Sequence, residues 1–118
     1  MAEKMPLDIS ERAVAAGGDY DYVETDKVPP GELWCLEHYA FENQTGNRGA
    51  VRLYKGDKVL PYFLKEEQSP LANELVFDDS PLFIREGQRL GFRQASCTAS
   101  DVLLLYATGY KIFGKFIE

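Results

Sequence analysis

Between Pro81 and Tyr110 the chain reads Pro-Leu-Phe-Ile-Arg-Glu-Gly-Gln-Arg-Leu-Gly-Phe-Arg-Gln-Ala-Ser-Cys-Thr-Ala-Ser-Asp-Val-Leu-Leu-Leu-Tyr-Ala-Thr-Gly-Tyr, with no helical period anywhere. Leu90 and Phe92 alternate with Arg89, Gly91 and Arg93. That is the period-two signature of a half-buried strand, and Glu86-Gly87-Gln88 supplies the tight turn ahead of it. Val102 to Ala107 is an apolar run bounded by Ser100-Asp101 and Gly109. It is too short for most helices and suits a strand covered on both faces.

The same grammar extends upstream. Strands are predicted at Asp19–Glu24, Glu32–Phe41, Gly49–Tyr54, Lys58–Leu64, Leu71–Phe77, Pro81–Arg85, Gln88–Gln94 and Val102–Lys111. About eight strands at intervals of roughly eight to twelve residues predict an all-β antiparallel sandwich or barrel rather than βαβ units, and the two-face-covered closing strand favours the sandwich. Val28-Pro-Pro-Gly31 makes a stiff corner, Asn43 to Asn47 a polar loop, and Lys55-Gly56-Asp57 a hairpin turn, while Pro61 sends its strand to an edge or a bulge. In the second strand Trp34, Leu36, His38 and Ala40 are expected on one face and Cys35, Glu37, Tyr39 and Phe41 on the other. Neither face is purely polar, so this strand belongs mid-sheet under cover on both sides, which points to an oligomer.

Residues 1–18 are read apart from the sandwich domain at 19–118. Ile9 to Ala16 forms a short helix-like patch with Ser10 as cap and Gly17-Gly18 as stop. It buries too little to fold alone and is read as an N-terminal arm that packs on a neighbouring subunit. Deleting residues 1–17 is therefore expected to leave the domain folded.

Composition narrows the function. At 118 residues the chain makes one domain that needs no staple for its core. A net charge of -6 and a pI near 4.8, with 13 scattered Lys and Arg, disfavour a nucleic-acid partner. No run approaches the roughly 20 apolar residues of a membrane span, and the first ten residues lack an apolar signal core. A soluble protein, not exported by the usual route, is expected, with Asn43-Gln-Thr45 a polar loop rather than a glycan acceptor.

Converging chemistry is sparse. His38 is the one histidine and lies within a strand beside an oppositely pointing Glu37, the setting of a structural residue rather than a general base. Asp78-Asp79 reads as a turn, with no Asp-x-Asp-x-Asp-Gly series for calcium. Asp19 and Asp21 alternate on one strand face, a spacing glycosidases use, but without partners they read as a solvated face. Gly87 and Gly91 precede no helix and cradle no phosphate. No cofactor, metal or enzymatic activity is expected. Cys35 and Cys97 fit no zinc or redox spacing; buried free thiols and an inter-strand disulfide both remain open. The candidate contact residues are Tyr20, Tyr22, Trp34, Arg85, Arg89 and Arg93, aromatic and guanidinium side chains of the kind that populate interfaces.

Val28-Pro-Pro-Gly-Glu-Leu-Trp-Cys-Leu36, a strand ending at Leu53, Pro81 to Leu90, and Ser100-Asp-Val-Leu-Leu-Leu-Tyr-Ala-Thr-Gly-Tyr110 together resemble the small β-sandwich proteins of tailed-phage particles. The shared patterns are Pro-x-Gly-x-x-Trp, Gly-x-Arg-Leu and Asp-x-Leu-x-Leu…Gly-Tyr, over about residues 28 to 111. The resemblance implies a jelly-roll-like fold and a capsid decoration (cement) protein, a homotrimer on the major capsid protein or other virion proteins, located in the virion after assembly in the host cytoplasm. The alternative is a head-fibre, collar or tail module that binds a receptor or carbohydrate, with Trp34 and the strand from Asp19 to Tyr22 as its groove candidates.

Overall fold

The computed structural model describes residues 3–45, 49–57, 60–67, 76–78 and 80–113. They form nine strands and no helix: β1 (Glu3–Val14), β2 (Tyr20–Glu24), β3 (Glu32–Asn43), β4 (Val51–Asp57), β5 (Leu60–Glu67), β6 (Val76–Asp78), β7 (Leu82–Arg85), β8 (Arg89–Ala95) and β9 (Val102–Phe113). Two antiparallel sheets face each other. Sheet A runs β1-β9-β3, with β7 and β6 succeeding one another along the far edge of β3, and sheet B runs β2-β8-β4-β5. The all-β architecture is the one that the strand spacing predicts, and a jelly-roll-like sandwich is the form that the resemblance implies.

The core lies between the sheets. Sheet A contributes Trp34, Leu36, Tyr39, Phe41, Ile84, Leu103, Leu105 and Ala107, and sheet B contributes Val23, Val51, Leu53, Leu90 and Phe92. The rings of Phe41 and Phe92 meet with centroids 5.4 Å apart, joining the two layers. At one end a buried polar knot closes the sandwich. The Asn43 side-chain amide donates to Gln94 Oε1 at 2.8 Å and to Asp101 Oδ2 at 3.3 Å, while Asp101 also accepts from the Thr98 N–H. Buried amide and carboxylate groups need such partners, since each left unpaired costs about 1–3 kcal/mol.

Several turns follow the chemistry of their residues. Pro30-Gly31 occupies the centre of a turn closed by Glu32 N–H to the Pro29 carbonyl, with Gly31 at φ +81°. Proline at the first central position and glycine in the left-handed second are what a type II turn requires. Arg85–Gln88 repeats the device with Gly87 at φ +81°. Pro61 falls in β5, the edge strand of sheet B, as a residue with no N–H must.

Four expectations are corrected. Residues 3–14 are neither helix nor free arm: β1 pairs with β9 from Glu3↔Phe113 to Val14↔Val102 without interruption. Leu7, Ile9 and Ala13 pack on the core while Asp8, Ser10 and Arg12 are exposed, so the period of two wins once β9 offers a partner. The glycines instead turn the chain from sheet A to sheet B, Gly17 at φ +86°. In β3 a bulge at Glu37 resets the alternation, so Trp34 and Leu36 face the core together with Tyr39, Phe41 and Asn43, and His38 and Ala40 face outward. Lys55-Gly56-Asp57 is strand, not turn, since β4 pairs with β5 as far as Asp57↔Leu60. Asp79 and residues 71–75 of the strand expected at Leu71–Phe77 lie outside the described residues.

Candidate functional site

Tyr20 and Tyr22 alternate on β2 and so share the outer face of sheet B with Glu24. The register sets them against β8, Tyr20 opposite Ala95, Tyr22 opposite Arg93 and Glu24 opposite Gly91. β4 continues the rows, with Arg52 opposite Arg93 and Tyr54 opposite Gly91. One row across three strands thus reads Tyr22, Arg93, Arg52, and the next reads Glu24, Gly91, Tyr54.

The second row is a clamp. The Tyr54 ring lies across Gly91, where any Cβ would collide with it, and its hydroxyl donates to Glu24 Oε2 at 2.6 Å. The Arg89 guanidinium donates to Glu24 Oε1 at 3.1 Å. Both carboxylate oxygens are held, so Glu24 is fixed in rotamer by a phenol and a cation. Tyr22 meets the edge of Tyr54 at a centroid distance of 6.1 Å and an interplanar angle of 82°. The Arg93 guanidinium stacks 3.8 Å from the Tyr20 ring centroid, while Tyr20 keeps 48% of its surface open. Planar guanidinium on an aromatic face is a favourable and orienting contact.

Four of the six candidate contact residues, Tyr20, Tyr22, Arg89 and Arg93, therefore meet on one face. Trp34 does not join them: it is buried in the core and its indole N–H donates to Glu32 Oε1 at 3.0 Å. Arg85 sits on β7 of the opposite sheet, beside Glu32, Leu33, Phe83 and Glu86 around a shallow hollow of about 470 Å³. The residues that sequence reasoning missed are Glu24, Arg52 and Tyr54. Their alternation in the strands was readable, but only the register shows that they stand beside Arg93 and Gly91.

The other singled-out groups have structural roles. Asp21 points inward and accepts from the N–H groups of Ala16 (2.8 Å) and Gly17 (3.3 Å), capping the turn between the sheets rather than pairing with Asp19. The cysteines are free and buried, so the disulfide is not formed. Cys97 belongs to the core and donates to Gln94 Oε1 at 3.4 Å, whereas Cys35 lies on the outer side of sheet A between Phe83 and Tyr110 in the register. Burial pushes the Cys35 thiol above its ordinary value, partly offset by the Tyr110 hydroxyl that donates to it. His38 is exposed at the bulge opposite Thr108. Among the described residues no group of three His, Cys, Asp or Glu gathers to hold a metal, and no helix is long and apolar enough to cross a membrane.

No family model and no curated protein matches the chain. Among solved structures it is similar to a mutant of a family 29 carbohydrate-binding module, with 13% identity over 91% of this chain and 75% of that one and a TM-score of 0.45. It is also similar to the family 32 carbohydrate-binding module from C. perfringens NanJ in complex with galactose, with 14% identity over 90% and 93% of the two chains and a TM-score of 0.43. A carbohydrate-binding module of family 4 shares 11% identity over 87% and 82%, with a TM-score of 0.38.

Proposed function

We propose that this protein is a non-catalytic glycan-binding module whose binding face is the outer surface of sheet B. The observation that carries the reading is the joint presentation of Tyr20, Tyr22, Arg93 and Arg52 above the fixed Glu24–Tyr54–Arg89 clamp. A pyranose ring offers a patch of C–H bonds on one face and a fringe of hydroxyls at its rim. An aromatic face takes the first through dispersion and the electron-rich π surface. Guanidinium and carboxylate groups take the second through charge-assisted hydrogen bonds. The face is open rather than enclosed, which suits holding a chain of sugars better than excluding water from a reaction.

The test is titration calorimetry on the hits of a glycan array. Binding is expected, with Tyr20→Ala and Tyr22→Ala each weakening it at least about tenfold, or about 1.4 kcal/mol. Arg85→Ala, on the other sheet, leaves it unchanged. A chain that binds no glycan, or tyrosine variants that bind as well as the parent, would overturn the reading.

A second reading, attachment to a protein shell such as a virion surface, draws support from a different place. Phe83 is 51% exposed on the outer face of sheet A, beside Leu33 and the Arg85–Glu86 pair. An exposed aromatic rimmed by charges is a common protein contact. Co-sedimentation with a purified capsid shell, lost in Phe83→Ala and kept in Tyr22→Ala, is the result that would favour it over glycan binding.

A further inference from the structure

The outermost strand of sheet A carries a second kind of information. β1 pairs with β9 along one edge, and among the described residues nothing pairs with its other edge. Ala15 donates its N–H to the Asp101 carbonyl and accepts from the Ser100 N–H, so its backbone groups turn toward the β9 side. The register runs back from there without a bulge. Odd-numbered residues of β1 therefore direct their backbone to β9, and Lys4, Pro6, Asp8, Ser10, Arg12 and Val14 direct theirs to the open edge. Pro6, which has no N–H, falls on the open side, where no ladder bond within the chain is lost.

We propose that this edge is a dimer interface: a second copy of the chain adds its own β1 antiparallel, with Ser10 facing Ser10 across the two-fold axis. The charges on the edge select that register. An axis at Asp8 sets Lys4 against Arg12, and an axis at Arg12 sets two guanidiniums together. An axis at Glu11 brings two half-buried carboxylates face to face. Axes at Pro6, Leu7 or Ile9 place the proline inside the ladder. With the axis at Ser10, Asp8 stands opposite Arg12 on both sides, Pro6 drops to the margin opposite Val14, and Leu7 meets Ala13 on the core side. Opposite charges directly across an antiparallel pair stabilise it and like charges oppose it. Edge charges and proline ordinarily guard a strand against association. Here they disfavour the neighbouring registers from Pro6 to Arg12 and favour the one at Ser10, and a two-fold pair uses the same patch twice.

Sedimentation equilibrium across micromolar concentrations tests this. The native chain is expected at twice its 13.3 kDa mass. Asp8→Arg or Arg12→Asp alone raises the dissociation constant at least about tenfold, and the double variant restores it with the signs exchanged. Asp8 and Arg12 are exposed, so circular dichroism spectra of these variants should match the parent, as should their melts at concentrations dilute enough for both to be monomeric. Ser10→Cys adds an orthogonal readout. Residues opposed in a hydrogen-bonded pair have Cα atoms about 5.5 Å apart, within the roughly 4.4–6.8 Å of a disulfide, so mild oxidation should yield a covalent dimer. A monomer or trimer throughout the range, a dimer indifferent to both single reversals, or a double variant that stays dissociated would overturn the proposal.

Discussion

Gly91 concentrates what a single residue does in this fold. In the sequence it is one small residue in the alternation Arg89, Leu90, Gly91, Phe92, Arg93, and nothing local explains its size. In the structure it is the floor on which the Tyr54 ring lies, and the ring's hydroxyl reaches Glu24 because no side chain intervenes. Gly91→Ala is expected to displace the ring, release Glu24 Oε2 while Arg89 still holds Oε1, and cost about 1–3 kcal/mol by overpacking. It should also weaken glycan binding. Chemical denaturation and calorimetry measure the two effects; an alanine variant with parental stability would show that the ring has other room. Turn glycines such as Gly31 and Gly87 were legible because turn chemistry is local. Gly91 was not, because its constraint comes from another strand.

At the scale of elements, the strands with clean alternation or dense β-branched and aromatic content were legible, and β1 was not. Its Ala13-Val-Ala-Ala16 end and flanking glycines imitate a short helix, while Leu7, Ile9 and Ala13 carry a period of two that only an available partner makes decisive. The β3 bulge was equally hidden, since one extra residue exchanges faces without altering composition. β1 also carries a cost. Glu11 is half-buried on its core side, and burial, then the nearby Asp26 carboxylate, raises its pKa above the ordinary 4.5. A carboxyl with a raised folded pKa binds its proton more tightly in the native state. Stability therefore falls as pH climbs from about 4.5 through the raised value, and the penalty persists at neutral pH. Glu11→Gln should remove that slope and stabilise the protein at pH 7 by less than about 1 kcal/mol. Melts at pH 4 and pH 7 check the sign: a gain that is equal at both would assign the effect to packing instead.

For the whole molecule, the class of fold was written in strand spacing, and the division into arm and domain was not. An arm is dispensable; an edge strand twelve residues long, seated on β9 and covering the core with Leu7, Ile9 and Ala13, is not. Deleting residues 1–14 is expected to abolish the cooperative melt, or to lower its midpoint by well over about 10 °C. A truncated chain that melts like the parent would restore the arm. The candidate face was half legible for a related reason. Tyr20 and Tyr22 announce themselves by alternating, and Arg93 by its charge, but their meeting depends on β2 and β8 being neighbours. The ladder between β1 and β9 has a kinetic side as well. It joins Glu3 to Phe113 and Leu7 to Gly109, strands separated by nearly the whole described sequence. Loops of that span close slowly, and folds built on such pairings reach the native state in milliseconds to seconds rather than microseconds. Sheet A is thus finished only when its two most distant strands find each other. Until then β9 keeps an unpaired edge with Leu103 and Leu105 beside it, and crowded refolding at that stage should favour capture by another chain's strand.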